Sequence, residues 1–469
     1  MNTPPKFTTL AAAVLLALTA CGGGDVADDG PTALAEADTT ADGARVGALA
    51  VSGSTAVGTL TLVSSSAAGK ASASTTAPCG VSADGALVAF TSDASALVSG
   101  DTNQANDTFL KNTRTGALTR VSTGSDGAQM LGGASCLAMT PDGKSLVLNT
   151  PAGYGGPYGS PATEPGLFVK NLATGTLTSI APPLNTFPTT AAYVFQSISD
   201  DGLRVAMIAA PTASYLGGYE TVANGPARAL IRDLGNGALI NLSAEVQLDL
   251  SQGSVDGKLL LSPDGRKLAF NSRSNYAALG DTNGKSDVFV LDVASRALTL
   301  ASSNSAGVQG SFFGPPLFNP SYGVIGFLNG GTQLAFVSPA DSTLGAAGAY
   351  VKDLNSGASR LVFASGSFAL PALSFSGDGT QVAFDRDIQN PNTQATPAVW
   401  VRNLLTGQER RVNTTATGVV GNNAARFAMI SRDGSTVTFQ SNATNLLRAA
   451  RVSYIYEIFA KTVNATSGG

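Results

Sequence analysis

Histidine is absent from this chain of 469 residues. Its absence removes the commonest general base, the Ser-His-Asp triad and every histidine-based metal site. The chain also has no G-x-S-x-G elbow, no phosphate-binding G-x-x-x-x-G-K-[ST] loop and no cysteine pair at zinc spacing. On this inventory the chain is expected not to be an enzyme. Charge is scarce as well: Asp, Glu, Lys and Arg make up 13% of residues, against roughly 25% in an average soluble protein. With 28 basic and 32 acidic residues, nothing attracts nucleic acid. Only six of the acids are Glu; the rest are Asp, which favours turns over helix interiors. Long apolar runs are missing too, since the longest, Leu10 to Leu18, is too short for a stable membrane span.

What is present begins with that run. One Lys precedes it and Leu18-Thr19-Ala20-Cys21 follows it, the layout of an export signal over residues 1–20. The last four residues resemble a bacterial lipobox, which implies lipidation of Cys21. Gly22 stands where an inner-membrane retention signal would carry Asp, so the resemblance implies the outer membrane of a Gram-negative cell envelope. Without residues 1–20 the charges are 27 basic and 32 acidic, a balance of −5. Residues 21–57 hold small residues and Asp with almost no large apolar side chain. They read as a tether of roughly 30 Å r.m.s. span.

The remainder, 58–469, repeats. Turn glycines at 85, 143, 202, 265, 331, 379 and 434 each open a six-residue apolar segment, as in Gly85-Ala-Leu-Val-Ala-Phe-Thr-Ser92 and Gly379-Thr-Gln-Val-Ala-Phe-Asp-Arg386. In six of the seven units Asp precedes the Gly, and Asp-Gly suits a hairpin with positive φ at both residues. A second apolar strand follows, ending in turns such as Asn112 to Gly116 and Asn171 to Gly175, and then a short last strand such as Leu118 to Ser122. The spacings of 58, 59, 63, 66, 48 and 55 residues suit four-stranded propeller blades. The seventh unit stops without its last strand, while Leu60 to Ser64 precedes the first unit. The expected fold is therefore all-β, a monomeric seven-bladed β-propeller closed by residues 60–64 in the last blade, which removes two open sheet edges.

The unit [ST]-x-D-G-x-x-[VL]-[AVT]-[FLM], with its later [ND]-x-x-[TS]-G turn, resembles the WD-like repeats of the TolB-like propeller family over residues 60–464. That resemblance implies fold rather than activity. The additional α/β domain of TolB is missing, so its function is not carried over.

Three arrangements are candidates for function. GDTN occurs at Gly100 and again at Gly280, offering Asp101, Asn103 and Asp107, and Asp281, Asn283 and Asp287, as oxygen ligands for Ca²⁺. Position five is Ala105 or Lys285 and no bidentate Glu follows, so Asx-type loop bonding is the preferred account. Cys79 and Cys136 precede equivalent hairpins of adjacent blades, offset by one residue, and an exported chain can join them in a disulfide. Tyr154, Tyr158, Tyr215, Tyr219, Phe312 and Phe313 gather in long loops that propeller geometry puts on one rim, an adaptable contact face. The expected function is an envelope-anchored scaffold binding a protein or glycan through that face. The alternatives are a calcium-binding propeller and a carboxylate-based polysaccharide hydrolase or lyase, the latter needing two acids about 5–10 Å apart.

Overall fold

The computed structural model describes residues 54–72, 76–150, 166–180, 191–211, 228–246, 258–272, 274–310, 323–338, 343–364, 373–390, 393–447 and 455–463. Within them lie seven sheets in chain order around a ring, six of four strands and one of five. Blades are numbered by chain order, and strands are lettered a to d from the central channel outward. Blade one is Thr76–Val81, Leu87–Ser92, Asp107–Asn112 and Leu118–Arg120, each strand antiparallel to the next.

The a–b hairpins differ from the expectation in one respect. In blade one only Gly85 takes positive φ, at 68°, and its N–H donates to Ser82 O at 3.0 Å. Positive φ at the Gly alone suits a type I turn closed by a glycine bulge better than a two-residue turn. The Asp contributes its side chain instead: Ser82 Oγ and Ala86 N–H donate to Asp84 Oδ1 at 2.8 and 3.1 Å, while Ser82 Oγ accepts Leu87 N–H at 2.9 Å. The hydroxyl-to-Asp bond recurs at Asp142, Asp201, Asp264, Asp378 and Asp433. This explains why the turn is written Ser-x-Asp-Gly five times and Thr-x-Asp-Gly once rather than merely Asp-Gly.

The ring closes as the repeat count requires. Leu60–Leu62 pairs antiparallel with the c strand of blade seven, Glu457–Thr462, with Leu60 opposite Lys461 and Leu62 opposite Phe459. Upstream, Ser54–Thr55 adds a fifth strand to blade six, parallel to Glu409–Arg411, so the N-terminal segment binds two blades in succession.

Apolar packing lies between the blades. The buried residues form seven clusters, one at each blade–blade contact; the one that closes the circle joins Val63, Ile458 and Ala460 of blade seven to Val88, Phe90, Leu97 and Phe109 of blade one. Facing aromatics on strands b and c recur, as Phe90–Phe109 at 5.5 Å, Phe270–Phe289 at 5.7 Å, Phe336–Tyr350 at 5.9 Å and Phe439–Phe459 at 5.6 Å. Such pairs add about 0.5–1.5 kcal/mol beyond burial.

Lysines on strand c tie blade to blade. Lys111, Lys170, Lys352 and Lys461 are buried, and each ammonium donates to carbonyls in the turn leaving the preceding blade. Lys170 Nζ, for example, meets Thr123 O at 2.8 Å and Gly124 O at 3.0 Å, and Lys352 Nζ meets Ser303 O at 2.9 Å. No helix among the described residues is long and apolar enough to cross a membrane.

Candidate functional site at the channel rim of blades six and seven

The innermost strands carry β-bulges in five blades, where one strand has an extra residue and leaves the ladder locally. In blade one the extra residue is Cys79. A bulged residue is released from strict alternation, and Cys79 is joined to Cys136 of blade two at a Cα separation of 5.9 Å. The one-residue offset visible in the sequence is absorbed by that bulge.

Blade seven uses its bulge differently. Its a strand, Ala425–Ile430, pairs with strand b through Arg426 and Met429 but skips Phe427 and Ala428. Phe427 sits at φ 57°, a left-handed conformation that bulky residues rarely adopt, and is 55% exposed on the innermost strand. Arg426 beside it is exposed too. Held strain of this kind clusters at ligand sites.

Blade six supplies the acid. Position seven of the unit can reach the next blade's inner strand: Thr91 Oγ1 accepts Cys136 N–H at 3.0 Å and Asn271 Oδ1 accepts Val324 N–H at 3.1 Å. Across the seven units this position reads Thr91, Asn149, Ile208, Asn271, Val337, Asp385 and Gln440, so only blade six puts an ionisable group there. Burial pushes the Asp385 carboxyl above the usual carboxylate range. The Ala428 N–H and Arg426 pull it down and Asp387 pushes it up. Its Oδ1 is buried without a hydrogen-bond partner. Asp387, two residues along the same strand, is exposed; alternation puts it on the face of Asp385, about 6.6 Å away along the backbone. Arg386 between them turns to the other face, 4.7 Å from the Trp400 ring and 3.1 Å from Glu409. Lys258, at the entrance to blade four's inner strand, is exposed.

In the GDTN loops a glutamine side chain bridges the two acids. Gln129 Nε2 donates to Asp101 Oδ1 and Asp107 Oδ2, both at 3.0 Å, and Gln309 Nε2 does the same for Asp281 and Asp287 at 2.7 and 3.0 Å. Asn103 and Asn283 turn their oxygens to the N–H of Ala105 and Lys285. Burial raises the Asp107 and Asp287 carboxyls, opposed by Ser122 and Gln129, and by Ser302, Gln309 and Asn283. No group of three Asp, Glu or Cys that could hold a metal occurs among the described residues. Tyr154, Tyr158, Tyr215, Tyr219, Phe312 and Phe313 lie outside the described residues, as does Cys21.

No family model matches the chain, and no curated protein does. Solved structures do. An oligogalacturonate lyase from Vibrio parahaemolyticus aligns with TM-score 0.50 and 11% identity over 88% of this chain and 92% of its own. An oligogalacturonate lyase in complex with manganese aligns at 0.48 and 12% over 86% and 91%. The propeller domain of the Trilobed protease from Pyrococcus furiosus, of open velcro topology, aligns at 0.45 and 9% over 84% and 99%. At these identities the likeness shows the fold, a seven-bladed propeller similar to those of lyases and proteases. It also corrects the expectation, drawn from the missing histidine, that the chain is not an enzyme. An enzyme is built on a ring of this kind, and Asp385, Asp387 and Arg426 offer acid–base and cationic groups without imidazole. Manganese belongs to that lyase; the described residues here offer no cluster that fits it.

Proposed function

We propose that this chain cleaves an acidic glycan at the channel rim of blades six and seven, by a carboxylate pair. The observation that carries the reading is the constellation of Asp385, Asp387, Arg426 and Phe427. Asp385, whose carboxyl burial pushes above the usual carboxylate range, is the acid that gives a proton to the leaving glycosidic oxygen; Asp387 works as base. Arg426 pairs with a sugar carboxylate, and the exposed Phe427 ring stacks on the face of the sugar. In a lyase reaction, Asp387 removes the proton beside the sugar's carboxylate, the C4–O bond breaks and a C4=C5 double bond forms. The similarity to oligogalacturonate lyases supports this form. The roughly 6.6 Å strand spacing of the two acids favours a second form, hydrolysis with Asp387 activating water, because inverting glycosidases separate their carboxyls by about 6.5–9.5 Å.

The test is to incubate the full chain with oligogalacturonate and with a neutral glycan. A lyase releases a product with the ultraviolet absorbance of an unsaturated uronate, a hydrolase only new reducing ends. Asp385→Asn is expected to lower kcat by about 10²–10⁴ without lowering the melting temperature. Full activity in that variant, or no action on any acidic glycan, would sink the reading.

The propeller repeat supports membership in the TolB-like family, and the Leu-Thr-Ala-Cys21 motif supports an envelope address by lipidation, in which case glycan would be met in the envelope. Loss of palmitate labelling in Cys21→Ser checks the address.

A further inference from the structure

At the hairpin face the seven a–b turns crowd around the channel, and their backbones are stitched into arcs. Ala83 N–H donates to Pro141 O, Asp200 N–H to Pro263 O, Asn329 N–H to Gly377 O, Gly377 N–H to Arg432 O and Asp433 N–H to Ala83 O. Proline has no N–H, so no matching bond leaves Pro141 or Pro263. The residue after the Ser or Thr in six of these turns is Ala83, Pro141, Asp200, Pro263, Gly377 or Arg432. Two of the six are charged, and they belong to blades three and seven, which a ring of seven places nearly opposite one another. Arg432 Nη1 and Asp200 Oδ2 are paired. The Arg432 stem runs over Gly377, where a Cβ would collide with Arg432 Cγ. Gly377 lacks positive φ, so space rather than backbone conformation calls for glycine there.

We infer that Asp200 and Arg432 form a crossbar that shuts the hairpin end of the channel, making it a one-mouthed well that takes a glycan by its chain end. This rests on the glycan reading of the opposite rim and adds to it how the substrate is held. A polymer cannot thread through, so internal segments are excluded from the depth of the well. An inner strand of five or six residues at about 3.3 Å each gives a depth of roughly 18 Å, room for about three or four sugar units.

The experiment titrates full-length Asp385→Asn, chosen as cleavage-deficient, with oligogalacturonates of increasing length and with long polygalacturonate. Affinity per chain end is expected to rise with length and level off near four units, and polymer binding to follow the number of ends rather than the mass of sugar. Adding Arg432→Ala or, separately, Asp200→Asn is expected to shift the plateau to longer oligomers. Binding that follows mass, or an unchanged plateau in both crossbar variants, overturns the well and leaves the rim site standing. Failure of every acidic glycan to bind overturns both.

Discussion

Lys461 offers a sharp test of how the blades are held together. Its side chain is fully buried, and its ammonium donates to the carbonyls of Thr414 and Thr415. Burial pushes its pKa from the ordinary 10.5 down to about 8, a difference worth about 3 kcal/mol against the charged form. Below pH 8 folded and unfolded chains are both charged, and the penalty is complete. Between about pH 8 and 10.5 the unfolded chain keeps a proton that the folded chain has released, so stability rises with pH across that window. Above it both are neutral. Lys461→Met removes the penalty but leaves two carbonyls without a donor, at a cost of about 1–3 kcal/mol, so the variant should differ little from wild type at pH 7. By about pH 9.5 the wild type has shed about 2 kcal/mol of its penalty, and the variant has not. Urea unfolding of both proteins at the two pH values should show the variant's relative stability falling by that amount. The comparison cancels the other buried lysines, which burial also pushes down. A stability difference that is the same at both pH values would refute desolvation of the ammonium as the governing effect.

Phe439→Ala, emptying a fully buried position stacked on Phe459, should cost about 3–5 kcal/mol by urea unfolding; a loss under 1 kcal/mol would mean the blade contact repacks freely. Replacing both Cys79 and Cys136 by Ser opens a link between residues 57 apart and should cost about 4 kcal/mol by chain entropy, with wild type in reductant matching the variant. Acid unfolding should separate two groups of Asp. For Asp84, Asp264 and Asp378, burial raises the carboxyl, but hydroxyl and backbone donors, with Arg neighbours for the first two, outweigh it and leave the pKa lowered. Their contribution is present above the ordinary pKa of 3.8 and fades as pH falls through the lower folded value. Asp287 is raised by burial, so its charge opposes folding until acid removes it. Asp378→Asn should therefore flatten the acid limb followed by circular dichroism and Asp287→Asn steepen it; the reverse would refute the assignment. Because Gln129 and Gln309 already donate between the acid pairs, millimolar calcium should leave the EDTA melting temperature unchanged, and a rise of several degrees would show a cation displacing them.

The repeat made the ring legible because each unit must bury the same strand against the next. Ser-x-Asp-Gly punctuation and a run such as Val437-Thr-Phe439 are consequences of that shared burial. What the repeat does not encode locally stayed hidden. Ser54 and Thr55 join blade six by backbone bonds alone, and two small polar residues in a small-residue stretch carry no pattern that announces a strand. The roles of the lysines in Phe-Leu-Lys111 and Phe-Ala-Lys461 are not legible because their acceptors include backbone carbonyls 45 to 47 residues back, and carbonyls have no residue identity to search for. The same holds for Gln129, which meets Asp101 from 28 residues away.

The candidate site was the least legible part, for a reason built into repeats. Asp385 occupies a position where Thr91 and Asn271 latch the next blade, and Phe427 falls in an Ala-Ala-Arg-Phe-Ala-Met-Ile run that alternation would assign to the core. A ladder slip has no compositional signature, so nothing in that run tells that Phe427 faces water at φ 57°. The signal available was departure from the unit: one acid among Thr, Asn, Ile, Asn, Val and Gln at position seven. In a ring where six wedges need only a neutral side chain at that point, a buried carboxyl with an unpartnered oxygen costs stability, and a role at the rim is what would retain it.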